Sequence, residues 1–354
     1  MMAMTPSATA TLTLPYPAAL PSHRDELAIA AAGLLGGADL AATLKDPIAR
    51  RALRLRLAAR QWPVTKEAPG VRCRQTEDEQ AEHDRYFQVT RSTASPADSF
   101  ATGLLLAHVV AYENCLDMGV TLLTEPEWGE QFAGLEALLR LADISGHISG
   151  RTPALPSLAG WRSGPGYDPA GRWLTGHQLF FSLIQGAIAG LNWFAAAMTA
   201  GQSTEADQGL HLAAAFMRSS AVAMKLTSDF APEDYEAAVR PAMAPPKVRA
   251  GFSGLQTRDH AYLVRLFGRL KPVFLTLGPG EAHQEFTESV VSAYSAHEFI
   301  CARFRGDVLP SLRMEAASRG KTQRPGTTVI REMMRARLAL VNPAEPRALS
   351  ENRP

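Results

Sequence analysis

Cysteine is scarce in this chain of 354 residues: Cys73, Cys115 and Cys301 are the only three, and they form no CxxC pair and no even set. That argues against a disulfide scaffold and a sulfur-rich zinc site, and it points to a reducing, cytoplasmic setting. Charge of one sign is lacking as well. The 36 basic and 35 acidic residues leave a formal net charge of +1, without a long block of either sign, so neither a nucleic-acid groove nor an anionic membrane surface is indicated. A small-molecule partner is the expectation. The sequence has no Rossmann fingerprint, Walker loop, nucleophile elbow or HExxH, which removes the usual phosphate, hydrolase and zinc-protease readings. It also has no repeat of 20 to 50 residues, which excludes a solenoid. The longest apolar run, WLTGHQLFFSLIQGAIAGLNWFAAAMTAG from Trp173, is broken by His177, Gln178, Gln185 and Asn192. These would be costly in lipid, so the run reads as a buried bundle helix with Gly186 and Gly190 permitting close helix approach.

What is abundant is alanine and helical periodicity. Apolar residues recur with helical spacing in HRDELAIAAAGLLGGADLAATL, DPIARRALRLRLAARQW, SPADSFATGLLLAHVVAYENCLDMGVTLL, EWGEQFAGLEALLRLADI, the Trp173 run, STEADQGLHLAAAFMRSSAVAMKLTSDF, RDHAYLVRLFGRLKPVFLTLG and SVVSAYSAHEFICARFRGD. Alternating strand patterns are few, so the expected class is all-α, a helical bundle. Residues 1–22, rich in Ala, Thr and Pro without the basic flank of a secretory signal, are expected to form a disordered leader. One helical domain then spans 23–340, with an N-terminal half to about 144, a Gly/Pro loop over 145–172 and a C-terminal half over 173–340; residues 341–354 form a tail. A second irregular segment, VRPAMAPPKVRAGFSGLQTRDH, holds three prolines and two glycines just before His260, and segments of this kind often line sites.

In SVVSAYSAHEFICARFRGD, His297 and Cys301 stand four residues apart, on one helix face and about 6 Å apart along the axis. Small and apolar neighbours, Val290, Ala293, Tyr294 and Phe304, share that face and leave a slot. A flat macrocycle laid there would meet the imidazole at its centre and the thiol near its edge, where the thiol can add to a vinyl as a single thioether. Spacing alone favours a core histidine beside a core cysteine, and it also admits a zinc site from His260, His283, His297 and Glu298.

Three segments in order, VRPAMAPPKVRAGFSGLQTRDH, SAHEFICARFRGDVLPSLR and RGKTQRPGTTVIREM, resemble the haem-dependent aromatic oxygenases of the tryptophan dioxygenase superfamily. His260 followed after 36 residues by HEFIC is similar to the H-xn-HxxxC signature of the 3-methyl-L-tyrosine hydroxylases of saframycin-type antibiotic pathways. The resemblance covers about the last 120 residues. It implies a bis-histidine haem with His260 and His297 as axial ligands, a c-type single thioether from Cys301, and hydroxylation of 3-methyl-L-tyrosine ortho to the phenol. The product would be 3-hydroxy-5-methyl-L-tyrosine, for tetrahydroisoquinoline antibiotics, with hydrogen peroxide, or dioxygen and ascorbate, as oxidant. A homodimer is implied by the superfamily. Arg303 and Arg305, just past the ligand helix, are candidates for the propionates, and Thr322, Thr327 and Thr328 of GKTQRPGTT for the amino-acid substrate. His108, on a strongly apolar helix, is the candidate base for the phenol proton, against a plain reading as a core histidine satisfied by a carbonyl. Related oxygenases acting on tyrosine or an indole, and a bis-histidine electron carrier or sensor, are the rival functions.

Overall fold

The structure is a computed structural model, and it describes residues 11–35, 38–60, 62–63, 76–119, 122–142, 166–278, 280–304 and 324–343. Its helices are α1 (Arg24–Ala32), α2 (Leu40–Lys45), α3 (Pro47–Ala58), α4 (Glu77–Tyr86), α5 (Pro96–Met118), α6 (Glu125–Leu141), α7 (Pro169–Thr199), α8 (Ser203–Thr227), α9 (Pro232–Asp234), α10 (Arg240–Ala242), α11 (Arg258–Thr276), α12 (Glu281–Arg303) and α13 (Gly326–Val341). A π-helical turn, Tyr235–Val239, joins α9 to α10. The all-α expectation holds. Local signals start several of these helices: Thr76 and Thr124 each form a reciprocal capping box with the Glu three residues on, and Asp46, Asp168 and Thr257 cap through their side chains. Ser95 stands at the start of α5 before Pro96, as the sequence suggests, but in a left-handed conformation with no side-chain cap bond.

The centre of the bundle is the antiparallel hairpin of α7 and α8, with α5 against α7, α6 and α12 against α8, and α13 across α11 and α12. Glycines set that hairpin's spacing. A Cβ at Gly190 would lie 2.7 Å from the Ala213 backbone nitrogen and one at Gly186 2.4 Å from the Phe216 ring, so the two glycines permit the close approach expected of them. By length and apolarity α7 matches a membrane span, yet 83% of its most apolar window is buried inside the protein. Its apolar surface is spent on neighbouring helices.

The expected leader is corrected from residue 12 onward. Leu12–Pro15 forms β1, pairing in parallel with β2 (Val89–Ser92) in the register Leu12↔Val89 to Pro15↔Ser92. LTLP alternates, which puts Leu12 and Leu14 into the core. Gly103 of α5 leaves the room, since a Cβ there would sit 2.8 Å from both Leu14 and the Thr13 carbonyl. The expected Gly/Pro loop ends earlier than foreseen, because α7 begins at Pro169; residues 143–165 and 344–354 lie outside the described residues.

Candidate functional site

Four helices, α7, α8, α11 and α12, converge on one narrow, apolar cavity whose walls include Phe180, Met217, Phe267, Tyr294, His260 and His297. Helical spacing accounts for the wall: Ala293, Tyr294 and His297 share one face of α12, and His260, Leu263 and Phe267 one face of α11. Thus two histidines 37 positions apart in sequence face a single apolar space.

His260 occupies the first turn of α11, where the Thr257 hydroxyl caps its backbone N–H. The turn is held by charge. Asp259, fully buried, accepts two bonds from Arg91, Nη1 at 3.0 Å and Nη2 at 2.7 Å, and one from Gln185 Nε2 at 2.8 Å. Arg91 also donates to Asp84 and to the Pro15 carbonyl, so β1 helps to fix the histidine turn. The Pro/Gly-rich segment before it is pinned too: Phe252 stacks on His83 at 4.2 Å and Arg249 pairs with Glu79 and Glu82.

His297 lies well inside α12. Its Nδ1 is buried without a hydrogen-bond partner, and burial, helped by the neighbouring His260 and His177, pushes the imidazole down to about 3. The ring is therefore neutral at physiological pH, with a lone pair available to a metal. One turn on, Cys301 is a free thiol, half-buried, pushed up to about 12 by burial and by Glu298. It shares the α12 face with His297 but does not line the cavity itself.

A further hydroxyl reaches this site. Tyr294 Oη lies 3.5 Å from His260 Nε2; burial raises the Tyr294 phenol's pKa, and the positive charge of Arg337 on α13 opposes that rise. His177, one turn from Phe180 on α7, bonds through Nδ1 to the Trp173 carbonyl at 2.7 Å and is pushed down to about 4 by burial. Sequence reasoning placed Tyr294 only as a neighbour of His297, and it missed Arg337 because α13 reaches the site solely through tertiary packing.

Several candidates are not brought here. His108 of α5 is a core histidine: its Nδ1 lies 2.9 Å from the Leu104 carbonyl and its Nε2 3.2 Å from that of Gln131. Both nitrogens face carbonyl oxygens inside the core, and His108 does not line the cavity, so no phenol can reach the ring and the base assignment is withdrawn. Arg303 folds back onto the Ser228 and Phe230 carbonyls at 3.2 and 2.7 Å, tying the end of α12 to the α8 terminus. Thr327 and Thr328 stand in the first turn of α13, not in a loop; Arg305 and Thr322 lie outside the described residues. His283 bonds the Val341 carbonyl at 2.6 Å and stacks on Phe274, which takes it out of the zinc reading, and among the described residues no three or more His, Cys, Asp or Glu gather as a metal centre. Two imidazoles lining one apolar cavity, one of them with an unpartnered nitrogen, are the kind of donor set that a porphyrin-bound iron would take.

Comparison with known proteins identifies relatives of the chain. The family described as SfmD 3-methyl-L-tyrosine peroxygenase matches residues 13–288, a span that includes His260 and stops before His297. A protein of Streptomyces lavendulae named 3-methyl-L-tyrosine peroxygenase is 29% identical over 349 residues, covering 96% of this chain and 92% of that one. A solved structure, described as reduced SfmD obtained by soaking with sodium hydrosulfite, superposes with a TM-score of 0.62 at 26% identity, over 82% of this chain and 97% of its own. With over three-quarters of its length matched, the chain belongs to the SfmD 3-methyl-L-tyrosine peroxygenase family.

Proposed function

We propose that this protein is a haem-dependent peroxygenase that hydroxylates 3-methyl-L-tyrosine ortho to its phenol, with hydrogen peroxide, or dioxygen and ascorbate, as oxidant. The observation that carries the proposal is the pairing of His260 and His297 on one apolar cavity, in a chain whose relative is named for that reaction. A relative studied in a hydrosulfite-reduced state supports a reducible group. His260 and His297 would hold the iron and Cys301 the macrocycle edge, its S–H adding across a vinyl so that sulfur bonds one carbon and hydrogen the other. The haem, when bound, supplies oxygen transfer from the oxidant. The chain supplies the rest: apolar walls from Phe180, Met217 and Phe267 exclude water, and the buried turn at Asp259 fixes where His260 starts. Thr327 and Thr328 remain the residues proposed for the amino-acid end of the substrate. A cytoplasmic homodimer belongs to the same reading.

Two histidine ligands leave no open position, so one must depart. His297 shares its helix with the tether, whereas His260 stands at a helix start, and His260 is proposed as the labile ligand. Because the backbone around it is pinned by Asp259 and Phe252, departure is a side-chain rotation, not a movement of the Pro/Gly segment. The test is the visible spectrum of the purified protein, which should show a low-spin Soret band, followed by peroxide-driven turnover of 3-methyl-L-tyrosine. His260→Ala should shift the ferric spectrum towards high spin with haem retained, while His297→Ala should impair haem incorporation. A colourless protein, or haem without turnover of the phenolic amino acid, overturns the proposal.

A further inference from the structure

We infer that Tyr294 is the resting partner of the His260 imidazole when that ring is off the iron, an inference that rests on the haem reading above. The Tyr294 hydroxyl lies 3.5 Å from His260 Nε2, and both rings line the same cavity. That distance is the outer limit of a hydrogen bond, and the chemistry of the two groups orders it. An imidazole able to bind iron through Nε2 carries its proton on Nδ1 and a lone pair on Nε2. The phenol hydroxyl then donates and Nε2 accepts. That single lone pair either accepts from Tyr294 or binds iron, so the two positions of His260 are exclusive.

The measurement is cyanide affinity of the haem-loaded ferric protein, read from the Soret shift. Cyanide binds only the fraction with His260 displaced, so its apparent Kd scales inversely with that fraction. Tyr294→Phe keeps the ring and removes the hydroxyl. Losing one hydrogen bond from the displaced state should raise the cyanide Kd by about two- to tenfold. With His260→Ala in the background there is no imidazole to hold, and Tyr294→Phe should leave the cyanide Kd unchanged. A looser core would instead free His260 and tighten cyanide. Unchanged or tighter cyanide binding in Tyr294→Phe, or the same weakening in the His260→Ala background, overturns the inference while the low-spin wild-type spectrum leaves the haem reading standing. A wild-type protein without that spectrum overturns both.

Discussion

At the scale of single residues, chemistry depends on which lone pairs and thiols packing leaves available. His108, His177, His283 and His297 are all buried or nearly so, yet His108 and His283 are spent on carbonyls while the His297 Nδ1 has no partner. An orphaned buried polar atom is costly, and in a cavity wall facing a second imidazole it is most simply explained by a bound group. On the proposed haem reading, the pigment of the wild-type protein should survive acid-acetone extraction and stain with the polypeptide on a denaturing gel. Cys301→Ala should abolish that stain but keep a Soret band, since the imidazoles would hold the iron independently of the vinyl bond. A retained stain in that variant removes Cys301 from the site. Thr327 is buried in the first turn of α13; replacing Thr327 and Thr328 by valine should raise KM with the Soret band unmoved, and unchanged kinetics would make the pair structural.

Elements impose their own constraints. The α7–α8 hairpin is closed by backbone contact, with a Cβ at Gly209 falling 2.7 Å from the Phe194 nitrogen just as one at Gly190 falls 2.7 Å from that of Ala213. Alanine normally improves a helix by about 1 kcal/mol over glycine, but here its methyl meets backbone that cannot rotate away, and overpacking costs about 1–3 kcal/mol. The second effect wins. Gly190→Ala should lower Tm by roughly 1–3 °C, and a raised Tm would mean that the hairpin can part. The α11 start is a different case, because the Arg91 guanidinium is buried between Asp84 and Asp259. Removing one partner of a buried pair costs about 3–5 kcal/mol; Arg91 keeps Asp84, so Asp259→Asn belongs near 3. A lower urea midpoint and a mixed-spin ferric spectrum are expected, the latter because the His260 turn loses its anchor. Full stability with a pure low-spin spectrum would dismiss that anchoring role.

For the whole molecule, burial of neutral histidines has a consequence in pH. His177 is pushed from the usual 6.5 to about 4 by burial, and His108 downward for the same reason. Below 6.5 the unfolded chain takes up protons that the folded one refuses, so stability falls as pH falls from 6.5 towards 4. By pH 4.5, His177 alone should remove ~2–3 kcal/mol. Glu127 and Glu285, held low by Lys225 and by His211 and Arg218 against the opposing effect of burial, add to the loss in still more acid solution. Urea midpoints measured from pH 7.5 down to 4.5 should decline, most of the decline lying below 6.5. A flat profile would show that the two histidines charge without unfolding the core.

The sequence by itself determined the helical class, the glycine-spaced core helix from Trp173 and the shared face of His297 and Cys301 on α12, because each of these is local: periodicity and i to i+4 neighbours lie within a few residues of one another. The pairing of His260 with His297 was legible too, though through the likeness to haem oxygenases and not through any local signal. Tertiary structure decided the rest. LTLP is too short to announce itself as a strand, and it becomes one only because β2 and Gly103 offer a partner and a space. His108 and Arg303 read as reactive in one dimension, but carbonyls from Gln131, Ser228 and Phe230 arrive from other helices and occupy them. Arg337 reaches Tyr294, and Arg91 reaches Asp259, across separations of 43 and 168 residues. A side chain's type is written in the chain, but whether its lone pair is free depends on what the fold places against it.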